Sequence, residues 1–300
     1  MTVTVLDGAM GTELERRGID TGLPLWSANA LLTAPEAVKQ IHLDYLRAGA
    51  QIITTNTFRA NPRTLARAGL AGRSRELTHI AVSLAQEAIA DFQATRAGAQ
   101  PLIAGSIAPV EDCYSPWLVP DDAELEAEHG ELARYLAEAG CDLILVETMN
   151  TVRETVIAAR AAAATGLPVW VSVTLNPHNN LLSGESLREA AQAALTVKPA
   201  ALLVNCIPVA QGVSALHVLH KAVDNAQVRL GIYANAGHVE AGEWSMARGV
   251  TPEAYADAAR EWLATGASII GGCCGATPDH IARLANQIAC GPDRAQSSHQ

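Results

Sequence analysis

The chain has 300 residues, of which 49% are hydrophobic and 17% charged, and its formal net charge is -10. That balance supports a large core and argues against a nucleic-acid-binding surface; it favours cationic over polyanionic small ligands. No apolar run approaches the ~20 residues that span a bilayer. The opening Met1-Thr2-Val3-Thr4-Val5-Leu6-Asp7 has no basic region ahead of an apolar core, so no secretory leader is expected. The six cysteines are irregularly spaced, which fits a reducing cytoplasm better than a disulfide framework. A cytoplasmic protein with no membrane and no nucleic-acid partner is the expectation.

In chain order the apolar runs are Val3–Leu6, Gln51–Thr55, Leu102–Gly105, Leu143–Val146, Val169–Thr174, Ala201–Val204, Arg229–Tyr233 and Ser268–Gly271. They are short and apolar throughout, as parallel strands buried on both faces are. Alanine-rich segments of helical period alternate with them: Pro35–Ala48, Ser74–Ala94, Asp122–Ala139, Val152–Ala164, Ser186–Thr196, Gln211–Asn225, Pro252–Ala264 and Pro278–Ala289. Thr33-Ala34-Pro35, Thr251-Pro252 and Thr277-Pro278 read as helix starts, and Gly49, Gly140, Gly166 and Gly266 as helix stops. Alternation of this kind predicts an α/β fold, a (β/α)8 TIM barrel, as one domain over 1–290. A polar, disordered tail is expected over 291–300. A doubly wound open sheet is the competing architecture, but Asp7-Gly8-Ala9-Met10-Gly11-Thr12 lacks the G-x-G-x-x-G spacing of its phosphate loop.

A barrel of this type carries its chemistry at the C-terminal ends of its strands. The eighth run ends in Gly271-Gly272-Cys273-Cys274-Gly275 and the sixth in Asn205-Cys206. Adjacent side chains of a regular strand point to opposite faces, so two neighbouring thiols serve one centre only where the backbone turns, and glycine permits such a turn. Three thiolates from two strand ends, with a fourth position open, form the pattern of a catalytic zinc site. Buried structural thiols, or a vicinal disulfide, are the plainer readings. Cys141 and Cys290 fall in helix-end or pre-strand settings and read as inert buried thiols. Asp7 and Glu147 each follow an apolar run directly; they read as receptors for an ammonium group, with helix capping or a rim salt bridge as the structural alternative. Carboxylates beside a thiophilic metal point to a substrate with both an amine and a thiol.

Taken together, Leu6–Leu14, Thr55-Asn56-Thr57-Phe58, Val146-Glu147-Thr148, Asn205-Cys206 and Gly271–Gly275 resemble the homocysteine S-methyltransferases. Leu25-Trp26-Ser27-Ala28 and His42-Leu43-Asp44-Tyr45 add similarity to the short, stand-alone members. The resemblance implies a zinc-containing (β/α)8 barrel that methylates the homocysteine thiol to give methionine. It implies Zn2+ on Cys206, Cys273 and Cys274, the homocysteine amine on Asp7 and Glu147, and Thr57 near the amino-acid head group. Asn235 resembles the family's seventh-strand amide, which occupies the fourth zinc position before substrate arrives.

The methyl donor is the second small-molecule partner. Only 26 residues follow Cys274, too few for a cobalamin or folate domain, so a soluble onium donor is expected, S-methylmethionine first and S-adenosylmethionine second. Trp26, Phe58, Tyr114, Trp117 and Trp244 fall in rim loops and offer aromatic faces to a cation. Two segments depart from the commoner family pattern, Pro109–Trp117 and Ala234–His238. A different thiol or selenol acceptor, or a zinc-binding barrel without donor chemistry, are the alternative readings.

Overall fold

The computed structural model describes residues 2–290 apart from 97, 225, 241–242 and 246–248, so the tail at 291–300 lies outside the described residues. All eight apolar runs become parallel strands of one sheet: β1 (Thr4–Val5), β2 (Ile52–Thr54), β3 (Leu102–Ile107), β4 (Leu143–Met149), β5 (Val169–Val173), β6 (Ala201–Pro208), β7 (Arg229–Asn235) and, last in the chain, β10 (Ile269–Gly272). The order is β1-β10-β7-β6-β5-β4-β3-β2. A parallel bridge from Leu6 to Ile52, with Gln51 N–H donating to Val5 O at 2.8 Å and Asp7 N–H to Ile52 O at 3.0 Å, brings the ring round from β1 to β2. The architecture is the expected (β/α)8 barrel. A two-stranded antiparallel hairpin, β8 (His238–Glu240) and β9 (Glu243–Ser245), stands outside the ring.

Strand alternation divides the core in two. Leu6, Ile52, Ala104, Leu143, Leu145, Trp170, Leu203, Tyr233 and Ile269 fill the barrel interior. Their neighbours Val5, Ile53, Ile103, Ile144, Val171, Leu202, Ile232 and Ile270 pack outward against the helices. Helices Pro35–Ala48, Asp122–Ala139 and Pro252–Ala264 have the bounds read from sequence. Asp121, Thr151, Ser186 and Thr251 cap helix starts through their side chains. Thr33 does not cap Pro35–Ala48; its hydroxyl donates to Asn29 O, closing the preceding one-turn helix Ala30–Thr33. Among the described residues no helix is long and apolar enough to cross a membrane.

Candidate active site

The carboxyl ends of the strands converge on one cavity of about 410 Å³. At the end of β10 the chain enters a turn, with Ala276 N–H donating to Cys273 O at 2.9 Å. Gly275 takes φ +82° there, a conformation that favours glycine. This turn lets two adjacent thiols serve one centre. Gly271 and Gly272 are glycine for a different reason: a Cβ would lie 2.5 Å from Leu6 Cβ at the first and 2.2 Å from Ala276 Cβ at the second. Close approach of neighbouring chain, not dihedral freedom, fixes those two. Cys273 N–H donates to Ala234 O at 2.8 Å, and Ala236 N–H to Cys274 O at 2.9 Å, which ties the turn to β7.

Cys206 arrives by distortion of β6. Between the Asn205–Tyr233 and Pro208–Asn235 pairs β6 carries one residue more than β7, and Cys206 sits in the left-handed region at φ +56°. β4 does the same against β5 between Val146–Val171 and Met149–Val173, with Thr148 at φ +57°. Such bulges re-aim side chains, and a non-glycine residue at positive φ costs about 1–3 kcal/mol unless its surroundings hold it. Asn205 supplies the hold: its Oδ1 accepts from Thr148 N–H (3.1 Å) and Ser172 Oγ (2.7 Å), and its Nδ2 donates to Thr148 Oγ1 (2.7 Å). Both bulges, one beside Glu147 and one at Cys206, are thus locked by one buried amide.

The result is a cluster in which Cys206 Sγ lies 3.2 Å from Cys273 Sγ and 3.8 Å from Cys274 Sγ, all three within 4.8 Å of one another. Zn–S bonds of ~2.3 Å in tetrahedral geometry place sulfurs ~3.8 Å apart, so the donor set fits a thiophilic metal. Hydrogen bonds from Cys273 and then Cys274 hold the Cys206 thiol well below its usual pKa, while donating to Cys206 pushes the other two up. Asn235 at the end of β7 hydrogen-bonds Cys206, and its Oδ1 is buried without a partner. Asn235 thus brings an amide with a spare acceptor oxygen to the strand end that carries the thiols.

On the other side of the floor lie the two carboxylates. Asp7 accepts from Thr54 N–H (2.7 Å, Oδ2) and Thr54 Oγ1 (3.0 Å, Oδ1). Glu147 accepts from Ser106 Oγ and, at 3.0 Å, from the Tyr233 hydroxyl. They are 6% and 8% exposed and neither has a cationic side-chain partner among the described residues, so the salt-bridge alternative does not hold. Burial is the main cause that pushes Asp7 up to about 8 and Glu147 up to about 7. Both carboxyls are thus held by neutral hydrogen-bond donors alone.

The other sequence-selected residues divide. Trp26, Phe58 and Tyr114 line the cavity, Trp26 and Phe58 in edge-to-face contact at 5.6 Å. The Tyr114 hydroxyl lies 3.4 Å from Cys206 Sγ. Trp117 is 76% exposed and does not line the cavity. The side chains of Trp244, His238 and Cys290 lie outside the described residues. Thr57 is fully buried; its hydroxyl donates to Ser106 O at 2.7 Å and lies 2.8 Å from Thr55 Oγ1, behind the cavity wall. The threonine of that segment bonded to Asp7 is Thr54. Cys141 is buried away from the cluster, and desolvation pushes its thiol up to about 12. His280 is held by Thr277 and Val250 O and has a packing role.

The homocysteine S-methyltransferase family model matches residues 4–288. The chain belongs to the homocysteine S-methyltransferase family. It is 36% identical to the homocysteine S-methyltransferase of Escherichia coli (strain K12), over 94% of each chain. It is 30% identical to the selenocysteine methyltransferase of Astragalus bisulcatus, over 96% of this chain and 93% of that one. The crystal structure of the homocysteine methyltransferase MmuM from E. coli in its metallated form superposes with a TM-score of 0.83 at 33% identity, covering 95% of this chain and 96% of that one. Family membership makes the protein an enzyme of the methyltransferase class.

Sequence reasoning did not assign two supports of this family site. Asn205 stands in the Asn205-Cys206 block of the resemblance without a role of its own. Tyr255, in the helix Pro252–Ala264, places its hydroxyl 2.9 Å from Ala234 O and 2.8 Å from Gly271 O, joining β7 and β10 just below the thiols. Removing that hydroxyl takes away the one proton that Ala234 O and Gly271 O share, and Ala234 O keeps the Cys273 N–H, so Tyr255→Phe is expected to cost about 1–3 kcal/mol in denaturant unfolding. A midpoint unchanged from wild type would remove Tyr255 from this role.

Proposed function

We propose that the protein transfers a methyl group from a soluble onium donor to the thiol of homocysteine, forming methionine, with zinc held by Cys206, Cys273 and Cys274. The observation that carries this reading is the convergence in one cavity of three sulfurs spaced for a thiophilic metal and two buried, unpaired carboxylates. A substrate that satisfies both has a thiol and an ammonium group.

In this reading Asp7 and Glu147 take the homocysteine ammonium, which orients the side-chain sulfur toward the cysteines. Asn235 would help the three cysteines hold the metal. Thr57 acts through the wall segment Thr54–Asn56 rather than by contact. A free thiol has a pKa near ~8.5 and is mostly protonated at neutral pH; zinc at the cysteines would supply the Lewis acidity that favours the thiolate. The acceptor sulfur then forms the new C–S bond as the donor's methyl–onium bond breaks. The electron pair of that bond stays on the leaving heteroatom, which departs neutral. The protein's part is to align the two reactants and exclude water. Trp26, Phe58 and Tyr114 give the donor's cation aromatic faces. S-methylmethionine is the first donor and S-adenosylmethionine the second.

The test is a donor screen on zinc-loaded protein with homocysteine, reading methionine formed. Turnover with S-methylmethionine above that with S-adenosylmethionine or glycine betaine is expected. No methionine from any onium donor would sink the reading. A selenol is the second acceptor, favoured by the Astragalus bisulcatus relative, and competition between selenocysteine and homocysteine ranks the two.

A further inference from the structure

Arg59 follows the Thr55–Phe58 motif directly and is the only basic side chain among the described residues that line the cavity, against four acidic ones, Asp7, Glu15, Asp112 and Glu147. Its side chain is only 13% exposed. Arginine offers five donors and stays charged. Among the described residues the one polar partner of Arg59 is Asp112, with Nη2 to Oδ1 at 3.5 Å, and its Nε is buried with no partner. The neighbouring arginines are satisfied: Arg63 reaches Glu128 at 2.6 Å and Arg67 reaches Glu111 at 2.6 Å. A mostly buried guanidinium in a cavity wall, with its Nε unpartnered and one long ion pair, is expensive unless a ligand completes it.

The geometry points to Arg59 as the receptor for the α-carboxylate of the methyl donor, with Asp112 beside it for the donor's ammonium. This inference rests on the methyl-transfer reading above and names the residues that read the donor's head group at the same site. Two observations assign Arg59 to the donor rather than the acceptor. The acceptor's ammonium has Asp7 and Glu147 on the floor, both nearly inaccessible, so the acceptor is the deeper of the two ligands. Asp112, by contrast, is 43% exposed, on the loop that two residues later presents Tyr114, itself 48% exposed with its hydroxyl beside Cys206. A zwitterion whose head group spans Arg59 and Asp112 therefore lies along the Asp112–Tyr114 segment, with its onium end directed toward the sulfurs. The cavity's excess of acid over base suits a donor that is a net cation even with its carboxylate.

The experiment compares two donors with zinc-loaded protein and homocysteine: S-methylmethionine and its decarboxylated analogue, (3-aminopropyl)dimethylsulfonium. A charge-assisted bidentate contact corresponds to about 10–100-fold in kcat/KM, so wild type is expected to prefer the carboxylated donor by about that factor. Arg59→Gln should erase most of the preference by raising the S-methylmethionine KM, leave the homocysteine KM within about twofold, and Arg59→Lys should restore part of it. A general packing defect lowers both donors together and leaves the ratio unchanged. An unchanged ratio in Arg59→Gln, or a rise in the homocysteine KM in place of the donor's, overturns the assignment while leaving methyl transfer intact. Wild-type protein that turns over neither sulfonium overturns this assignment, and one that forms no methionine from any onium donor removes the underlying reading with it.

Discussion

Alanine in place of Cys206 or Cys273 should empty the metal site, taking zinc from about one per chain to below a tenth, and lower methyl transfer by roughly 10³-fold. The size follows from two losses. Without the metal a thiol of pKa ~8.5 is only about one part in thirty thiolate at pH 7. Without the anchor its sulfur is no longer aligned with the methyl group, and a misplacement of about 1 Å costs roughly 10²-fold. The product is near 10³. Cys141→Ala is the control, since that thiol lies outside the cluster and is buried between strand and helix. It should reduce stability and leave zinc content unchanged. Metal analysis of protein purified without chelator decides the matter. Full zinc in both cluster variants refutes the site.

The eight strands are legible because each is covered on both faces, which leaves a nearly unbroken apolar run. Helix ends are legible where a glycine takes positive φ, as at Gly49, Gly140, Gly166 and Gly266. The short pieces on the catalytic face were not read. Gly11–Arg16 and Pro62–Arg67 have six residues each and the strands β8 and β9 three each, below the length at which periodicity signals anything. Sequence also ended the fourth and sixth strands early, at Val146 and Val204, because Glu147 and Asn205 look like loop. In the fold both strands continue through a bulge to Met149 and Pro208. Those bulges depend on left-handed Thr148 and Cys206, and neither residue type announces that conformation.

The site is legible to the same degree. The three cysteines were readable because strand order places their ends on one rim, which is topology rather than local chemistry. Thr57 stands inside the motif but past the end of β2, where its hydroxyl bonds Ser106 O behind the wall, while Thr54, the last residue of the strand, has the contact with Asp7. Arg59 was hidden for the converse reason: it lies one residue past the motif, in a chain whose arginines mostly serve surface ion pairs.

Asp7→Asn should raise the homocysteine KM by about 10–100-fold, the range of one charge-assisted hydrogen bond, and at the same time stabilise the metal-free protein at pH 8. The two effects share a cause. Burial lifts Asp7 from an ordinary 3.8 to about 8 and Glu147 from 4.5 to about 7. Between pH 4 and 8 the folded protein therefore keeps protons that the unfolded chain has released. Folding stability must fall as pH rises through that window. Asparagine abolishes the Asp7 share of this slope. It also keeps the local bonds, since its Oδ1 can accept from Thr54 N–H and its Nδ2 can donate to Thr54 Oγ1. Unfolding midpoints of wild type and Asp7→Asn should thus agree near pH 4 and diverge toward pH 8, with the variant higher. The same carboxyls make ligand binding proton-linked. An ammonium group stabilises the ionised forms, so binding of methionine, which has the ammonium but no thiol, should release protons at pH 7. Calorimetry in two buffers of different ionisation enthalpy measures the number, and Asp7→Asn should reduce it. Buffer-independent heats together with an unchanged homocysteine KM would take the ammonium away from Asp7. A stability gain without a KM change would leave the residue a strained wall carboxyl and shift recognition to Glu147, whose Gln variant then carries the larger KM effect.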